Sequence, residues 1–289
     1  MHSPCFAIKR ACVIFKMDSI KVADFSLKHT IECGQLFRWL RKDGDYYVII
    51  NNTVLKLKQD GEHLYYSANR RIPASFLRSY FRLNEDYQSI IQHIAKDSLM
   101  KKAIRMFHGL RLIQQEPREC LLSYVCSSFS NIPKIQGNLN KMALCFGKPV
   151  LFDNHTFFTF PLELGNLEKI RNCGVGYRAS YLFEVSRKAT HQFLNPLRKL
   201  PYEEAKRALM QLHGVGDKVA DCVLLFSLGF SEAFPVDTWI RRGFSKAYLG
   251  GTQASGKEVR EYAARYFGRH AGYAQQFLFH YWRTTKAYI

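Results

Sequence analysis

The sequence predicts an α+β protein in which a small N-terminal antiparallel sheet precedes a mostly helical remainder. Three short strand candidates lie at 46–50, 53–57 and 63–66, and the turns between them contain Asn-Asn and Asp-Gly, which favour hairpins. From about residue 85 onward, apolar residues recur with helical spacing. Strands followed by helices, rather than strands alternating with helices, indicate an α+β arrangement.

The helical part contains one clear helix start and a series of amphipathic segments. Pro117 is expected to open a helix, since proline is favoured at the first helical position. Further helices are predicted over about 178–194, 202–213, 217–228, 238–248, 256–268 and 271–287.

Three segments are expected along the chain. Residues 1–16 form an N-terminal extension that can be disordered, 17–106 an α+β domain, and 107–289 a helical domain with two subdomains flanking a cleft. The apolar run at 11–15 is shorter than the core of a signal peptide, and Met17 is an alternative start, so no export is predicted.

The charge balance points to a polyanionic partner. The 289 residues include 42 Lys and Arg against 24 Asp and Glu, a formal net charge of +18. Such an excess in a chain with 47% hydrophobic residues is typical of a folded nucleic-acid-binding protein and excludes a disordered one. The alternative is a basic surface kept for solubility.

The eight cysteines include no Cys-x-x-Cys pair, which argues against a zinc ribbon and a clustered iron–sulfur loop. Their apolar surroundings favour reduced thiols in an intracellular compartment, the cytoplasm or nucleoid of a prokaryote or the nucleus of a eukaryote. No apolar run approaches the ~20 residues of a membrane span, so no membrane association is expected.

Two Gly-Val-Gly segments, at 174–176 and 214–216, each precede a predicted helix and are followed two residues later by a cation, Arg178 or Lys218. Glycine permits a tight turn there, and bare backbone N–H groups at a helix N-terminus can bind a phosphate. The alternative is an ordinary helix-capping glycine. Two copies in a basic chain favour binding to the DNA backbone.

Lys218 and Asp237 are candidates for covalent chemistry. The helix dipole disfavours the charged form of an amine in a first turn, and a neutral lysine can form a Schiff base. Asp237 follows Pro-Val, 19 residues later, where a carboxylate could stabilise positive charge on a sugar or help to deprotonate an amine. The alternatives are a surface lysine paired with Asp221 and a helix N-cap at Asp237.

Residues 212–221, followed by Pro-Val-Asp at 235–237, resemble the helix-hairpin-helix-Gly/Pro-Asp superfamily of DNA glycosylases, whose bifunctional members carry this lysine and aspartate. Other motifs resemble the 8-oxoguanine DNA glycosylase/AP lyase family. They span about residues 25 to 282 and are Gly-Gln-Leu-Phe-Arg-Trp at 34–39, Pro-Arg-Glu-Cys-Leu at 117–121, Cys-Ser-Ser at 126–128, Gly-Tyr-Arg-Ala at 176–179, and Ala-Gly-Tyr-Ala-Gln at 271–275 with Phe279.

The resemblance implies a helix-hairpin-helix glycosylase core that flips 8-oxoguanine out of double-stranded DNA. It implies that Lys218 attacks the sugar at C1′, that Asp237 assists, and that β-elimination then cleaves the strand. A monomer without metal or organic cofactor is expected. The hairpin formed by Gly214, Val215 and Gly216 would bind a DNA phosphate. Whether it also holds a monovalent cation is left open.

The resemblance also implies a base pocket. Gly34 would bring its carbonyl to the N7–H that 8-oxoguanine has and guanine lacks, Phe279 and Cys222 would sandwich the base, and Gln275 would bond its Watson–Crick edge. Taken alone, Gly34 could be a turn residue, and Phe279 and Cys222 could be ordinary core residues.

The family pattern is broken between 129 and 134, where the resemblance places contacts to the orphaned base opposite the lesion. The residues expected to wedge the duplex or contact that base are Phe129, Asn131, Lys134, Tyr177 and Arg178. Of three family asparagines only Asn131 remains, Phe129 replaces another, and Lys134 replaces an arginine. Because phenylalanine cannot read hydrogen-bond donors or acceptors, a relaxed opposite-base preference is predicted. The role of Trp239, after Asp237, stays open.

Three other functions are alternatives to this one. A glycosylase for oxidised pyrimidines or mismatched adenine often carries a C-terminal four-cysteine cluster, which this chain cannot form because no cysteine follows Cys222. A non-catalytic helix-hairpin-helix DNA-binding protein would not need Lys218 and Asp237. An RNA-binding structural protein explains the charge but none of the motifs.

Overall fold

The computed structural model of the chain describes residues 17–287, so the predicted extension 1–16 lies outside the described residues. An N-terminal antiparallel sheet of five strands, in the order β1-β5-β4-β3-β2, precedes a mostly helical part, which confirms the predicted α+β class. The strands are β1 Asp18–Lys21, β2 Trp39–Lys42, β3 Asp45–Ile50, β4 Thr53–Asp60 and β5 His63–Ala68.

The three predicted strands are the central ones, β3, β4 and β5, whereas the two edge strands were missed. Most residues of β1 and β2 are exposed, so the alternation of apolar and polar residues that marks a half-buried strand is absent. Sheet pairing holds them in place: Ile20 of β1 lies opposite Leu64, and Trp39 of β2 lies opposite Val48.

Both faces of the sheet are covered. One face packs Val48, Leu55 and Leu64 against the helices that flank the sheet. The other face packs Tyr47, Ile49 and Val54 against a short hairpin that the sequence did not predict. The flanking helices and the hairpin strands are α1 Leu27–Glu32, α2 Ala74–Tyr80, β6 Pro149–Phe152 and β7 His155–Phe158.

The larger core belongs to the helical part. Its helices are α3 Tyr87–Ile94, α4 Ser98–Met106, α5 Pro117–Cys126, α6 Ile132–Phe146, α7 Leu167–Ile170, α8 Arg178–Lys188, α9 His191–Leu197, α10 Tyr202–Met210, α11 Asp217–Val223, α12 Thr238–Tyr248, α13 Gly256–Phe267 and α14 Ala271–Thr285. The first two, α3 and α4, bury Ile94 and Met100 in this core although they precede the predicted boundary at 106, which stays a prediction.

Two predicted helices differ in detail. The segment 178–194 is divided into α8 and α9, because Thr190 adopts an extended backbone and its side chain caps α9 by accepting from the Phe193 N–H. The segment 217–228 begins as α11 and continues as a π-helical turn, Leu224–Leu228, that ends at Gly229 with φ +94°. Helix α5 begins at Pro117 as expected.

Within residues 17–287, no helix is long and apolar enough to cross a membrane. The same part of the chain contains no group of three or more His, Cys, Asp or Glu side chains placed to hold a metal ion.

Candidate active site

A cavity of about 1340 Å³ opens where the C-terminal end of α5, the N-terminal ends of α11 and α12, and one face of α14 meet. It brings together predicted residues that are up to 245 positions apart in the sequence. Of these residues, the following line it: Gly34, Phe129, Asn131, Lys134, Tyr177, Gly214, Val215, Gly216, Lys218, Cys222, Asp237, Gln275 and Phe279. Arg178 is the one predicted site residue that does not line the cavity.

Lys218 lies in the first turn of α11 with its amine directed into the cavity. Its Nζ donates to Ser127 Oγ at 2.7 Å and lies 5.0 Å from the centre of the Tyr124 ring. Ser127 caps the C-terminal end of α5, so the hydroxyl that holds the amine is fixed by a helix end. The amine is therefore positioned by a neutral acceptor rather than by a carboxylate.

Asp221 does not pair with Lys218, so the alternative of a surface ion pair is wrong. Asp221 is fully buried and binds Lys206 Nζ at 3.0 Å and the Tyr202 hydroxyl at 2.7 Å. Burial raises the pKa of Asp221, and the charge of Lys206 opposes that shift. Lys206 also binds Asp217 at 3.0 Å. This cluster joins α10 to α11 on both sides of the hairpin and so fixes the helix that carries Lys218.

Asp237 occupies the N-cap of α12, and its Oδ1 accepts from the Ile240 N–H at 2.8 Å. Burial raises the pKa of Asp237, whereas this N–H and the charge of Lys218 act to lower it. Lys218 forms no ion pair within 4.0 Å in the described part of the chain, yet it influences Asp237 electrostatically. The amine and the carboxylate thus lie near each other without contact, which leaves space between them.

Gly34 lies at a close approach in the wall of the cavity. Its φ is +93°, and an added Cβ would lie 2.7 Å from Arg283 Nη1 and 3.1 Å from Phe279 Cε1. Glycine is therefore required both by the backbone conformation and by the neighbours. Gln276 holds the preceding turn by donating to the Cys33 carbonyl at 3.1 Å. Among residues 17–287, no group donates a hydrogen bond to the Gly34 carbonyl.

Gln275 has one satisfied and one unsatisfied amide atom. Its Nε2 donates to the Pro235 carbonyl at 3.1 Å, and its Oε1 is buried without a partner among the described residues. Phe279 lies one turn further along α14, partly exposed to the cavity. Burial raises the pKa of the Cys222 thiol to about 12, so it stays neutral and packs as a small apolar group. An unpaired buried acceptor beside apolar walls can bind a planar base.

The segment from 127 to 134 displays Phe129 at the rim of the cavity. Phe129 is 97% exposed and has φ +48°, which is rare for a bulky residue. Asn131 caps α6, with its Oδ1 accepting from the Lys134 N–H at 3.0 Å. The Lys134 side chain is exposed. The side-chain oxygen of the one remaining asparagine is therefore already engaged in capping a helix.

Arg178 is buried and does not line the cavity, in contrast to the half-exposed Tyr177 beside it. Its guanidinium donates to the carbonyls of Ser128 at 2.7 Å, Val175 at 3.0 Å and Phe129 at 3.2 Å. These bonds hold the turn that displays Phe129. Its predicted contact with the orphaned base stays a prediction, and it would require these bonds to be exchanged.

Several residues that line the cavity were not predicted as site residues from the sequence. Arg283 follows Gln275 and Phe279 at intervals of four on α14, so helical spacing could have identified it. Its Nη2 donates to the Glu32 carbonyl and its guanidinium lies 5.6 Å from the centre of the Phe279 ring. Ser127 lies in the motif Cys-Ser-Ser at 126–128 but was not predicted as a site residue, and Tyr124 lies in no motif. The role of both depends on α11 packing against α5.

Residues 19–121 match the family model described as 8-oxoguanine DNA glycosylase, N-terminal domain. The chain is 32% identical to the N-glycosylase/DNA lyase OGG1 of Arabidopsis thaliana, over 89% of this chain and 77% of that protein.

Two solved structures are similar over nearly the full length. MBOgg1, in complex with a low-affinity DNA ligand, is 33% identical with a TM-score of 0.88, covering 93% of this chain and 96% of the other. The 8-oxoguanine glycosylase/lyase of Clostridium acetobutylicum, in complex with double-stranded DNA containing cytosine opposite 8-oxoguanine, is 30% identical with a TM-score of 0.85, covering 94% and 99%. The predicted family is confirmed: the chain belongs to the 8-oxoguanine DNA glycosylase family of the helix-hairpin-helix-Gly/Pro-Asp superfamily.

Proposed function

We propose that Lys218 and Asp237 carry out in this chain the reaction of its family. As a member of that family the chain is a bifunctional DNA N-glycosylase and AP lyase that removes 8-oxoguanine from duplex DNA. The observation that carries the assignment is the Lys218 amine, which is directed into the cavity, bound to a neutral hydroxyl, and close to a carboxylate with which it forms no ion pair.

The chemistry requires the neutral form of the Lys218 amine. Its Nζ attacks C1′ of the flipped nucleotide, the C1′–N9 bond breaks, and the base leaves with the electron pair and takes up a proton. The sugar ring then opens at the C1′–O4′ bond, which leaves an imine between Lys218 and C1′. Loss of a proton from C2′ expels the 3′ phosphate by β-elimination. Asp237 stabilises the positive charge that develops on the sugar.

Recognition of the lesion rests on two acceptors that have no partner within residues 17–287. The Gly34 carbonyl would accept from the N7–H of 8-oxoguanine, and it would face the lone pair at N7 of guanine, which is unfavourable. Gln275 Oε1 would accept from the N–H groups on the Watson–Crick edge. Leaving a buried acceptor unpaired costs about 1–3 kcal/mol, so a base without the matching donor is disfavoured.

The first test is borohydride trapping on a duplex with a single 8-oxoguanine. Wild-type protein should form a covalent adduct, and Lys218→Gln should form none because it lacks the amine. Lys134→Gln is the matched control, since Lys134 also lines the cavity, and it should still be trapped. Base release by wild type without any adduct would indicate a water nucleophile and would contradict the lysine mechanism.

We also propose that the opposite-base preference is relaxed. The exposed Phe129 ring offers only a stacking surface to the orphaned base, and the Asn131 oxygen is engaged in a helix cap. One good bidentate contact gives about 1–3 kcal/mol of discrimination between bases. With that contact missing, cleavage opposite cytosine and opposite adenine should differ by less than about tenfold.

Single-turnover rates on the two duplexes test this second proposal. Phe129→Asn should increase the preference for cytosine, whereas Leu151→Asn, at an exposed apolar residue of β6, should not. A wild-type preference for cytosine of several hundred-fold would contradict the proposal.

A further inference from the structure

We propose that a second, smaller cavity binds a backbone phosphate of the DNA strand outside the active-site cavity. This cavity has a volume of about 400 Å³ and lies between α12 and the loop that follows it. It is lined by three cationic side chains and by polar groups, namely Arg241, Arg242, Lys246, Ser245, Thr252 and Gln253. This site deepens the proposed function and rests on it.

The three cations have no partner of opposite charge. Within residues 17–287, none of them forms an ion pair within 4.0 Å or a side-chain hydrogen bond, and no carboxylate lines the cavity. The lining of this cavity is therefore positively charged, because its described residues include three cations and no carboxylate to neutralise them.

The spacing of these cations is unfavourable for the helix by itself. Arg242 and Lys246 are four residues apart, where two like charges destabilise a helix. The helix dipole favours Lys246 in the last turn of α12, but it does not favour Arg241 and Arg242 in the middle. A bound anion would remove this repulsion.

The polar groups suit an anion with several oxygens. The Ser245 hydroxyl accepts from the Ala254 N–H at 3.3 Å, which leaves its hydrogen free to be donated. The Gln253 amide adds two N–H donors, and arginine presents paired donors that match the oxygens of a phosphate. The site thus combines directed donors with positive charge, as phosphate binding requires.

The position of the cavity identifies the phosphate as one of DNA. Arg241 lines both cavities, so the two are adjacent. Helix α12 begins directly after Asp237, and Lys246 lies nine residues further, about 14 Å along the helix axis. Duplex DNA advances about 3.4 Å per nucleotide, so the bound phosphate would lie within about four nucleotides of the lesion.

The test measures binding to a duplex with a tetrahydrofuran abasic analogue over a range of salt concentrations. The double variant Arg242→Met/Lys246→Met should bind about tenfold more weakly at low salt, and its log–log salt slope should be smaller by about one. The charge-conserving variant Arg242→Lys/Lys246→Arg should keep the wild-type slope. Lys101→Met, at an exposed lysine of α4, is the control. A double variant that behaves like Lys101→Met would overturn the proposal.

A methylphosphonate scan of the same duplex locates the phosphate. At one position within about four nucleotides of the abasic analogue, neutralising the phosphate should weaken binding by wild type but not by the double variant. Absence of any such position would overturn the site. Release of 8-oxoguanine by wild type is measured separately. If the base is not released, the proposed function is contradicted. If the base is released normally but no phosphate affects wild type and the double variant differently, this inference alone is refuted.

Discussion

The two Gly-Val-Gly hairpins share a sequence pattern, but they place their cations in different environments. Both cations contact the turn that follows α5: Arg178 binds the Ser128 and Phe129 carbonyls, and Lys218 binds the Ser127 hydroxyl. Arg178 is 5% exposed and fully engaged, whereas Lys218 is partly exposed to the cavity and has one acceptor. One hairpin therefore stabilises the turn, and the other presents a reactive amine beside it.

The difference shows why the identity of the cation matters at each hairpin. A guanidinium is permanently charged and carries five donors, so it suits several backbone carbonyls at once. An amine can lose its proton and become a nucleophile. The shared pattern thus fixes the position of a cation, and the surroundings decide between a structural and a chemical role.

The largest effect is expected from replacing the cation of the second hairpin. Lys218→Arg keeps the positive charge but removes the nucleophile, so base release and the borohydride-trapped adduct should fall by about 10³-fold or more. DNA affinity should change little. Arg178→Lys, the converse change in the first hairpin, should still form the adduct. A trapped adduct with Lys218→Arg would show that the nucleophile lies elsewhere.

The first glycine of each hairpin provides the next test. Gly174 and Gly214 have φ +80° and +87°, so alanine is strained at both, by about 1 kcal/mol or more. At Gly214 the new Cβ would also lie 2.4 Å from the Tyr181 ring, whereas at Gly174 the nearest atom is 3.4 Å away. Urea unfolding should show a loss of about 3 kcal/mol for Gly214→Ala and about 1 kcal/mol for Gly174→Ala. Equal losses would contradict the close packing at Gly214.

Arg178→Met should reduce the free energy of unfolding by about 2 kcal/mol, because the carbonyls of Ser128, Phe129 and Val175 lose their donors. The loss should be accompanied by weaker lesion affinity, since Phe129 would no longer be held. Arg187→Met is the control, because the Arg187 guanidinium of the same helix lies 5.4 Å from the centre of the Phe183 ring and away from this turn. Unchanged stability in urea would indicate that the turn does not depend on this guanidinium.

The smallest effect concerns pH, and it should arise only at the second hairpin, where a carboxylate lies near the cation. The pKa of Asp237 is raised by burial. Because the reaction uses the ionised carboxylate, single-turnover base release should fall on acidification by about tenfold per pH unit below that pKa. The fall should begin at a higher pH than for an exposed aspartate. Asp237→Asn should be slow at every pH, and its rate should fall less steeply on acidification than that of wild type. An equally steep fall in this variant would assign the effect to another group.

The sequence by itself determined the central strands, the order of sheet and helices, and the motifs that reveal the family. These features depend on local patterns, namely apolar periodicity and turn residues. The edge strands β1 and β2 and the covering hairpin β6–β7 were not predictable, because their exposed residues carry little periodic signal and pairing with the sheet holds them.

The candidate site was also predictable only in part. The motifs identified Lys218, Asp237, Gly34 and Gln275, but only the tertiary structure decided that Lys218 binds Ser127 and that Asp221 binds Lys206 instead. It likewise decided that Arg178 is buried and binds the carbonyls of Ser128, Val175 and Phe129. The physical reason is that side-chain partners depend on how helices distant in sequence pack together. The sequence determines which side chains are present, and the packing of the helices determines which of them are in contact.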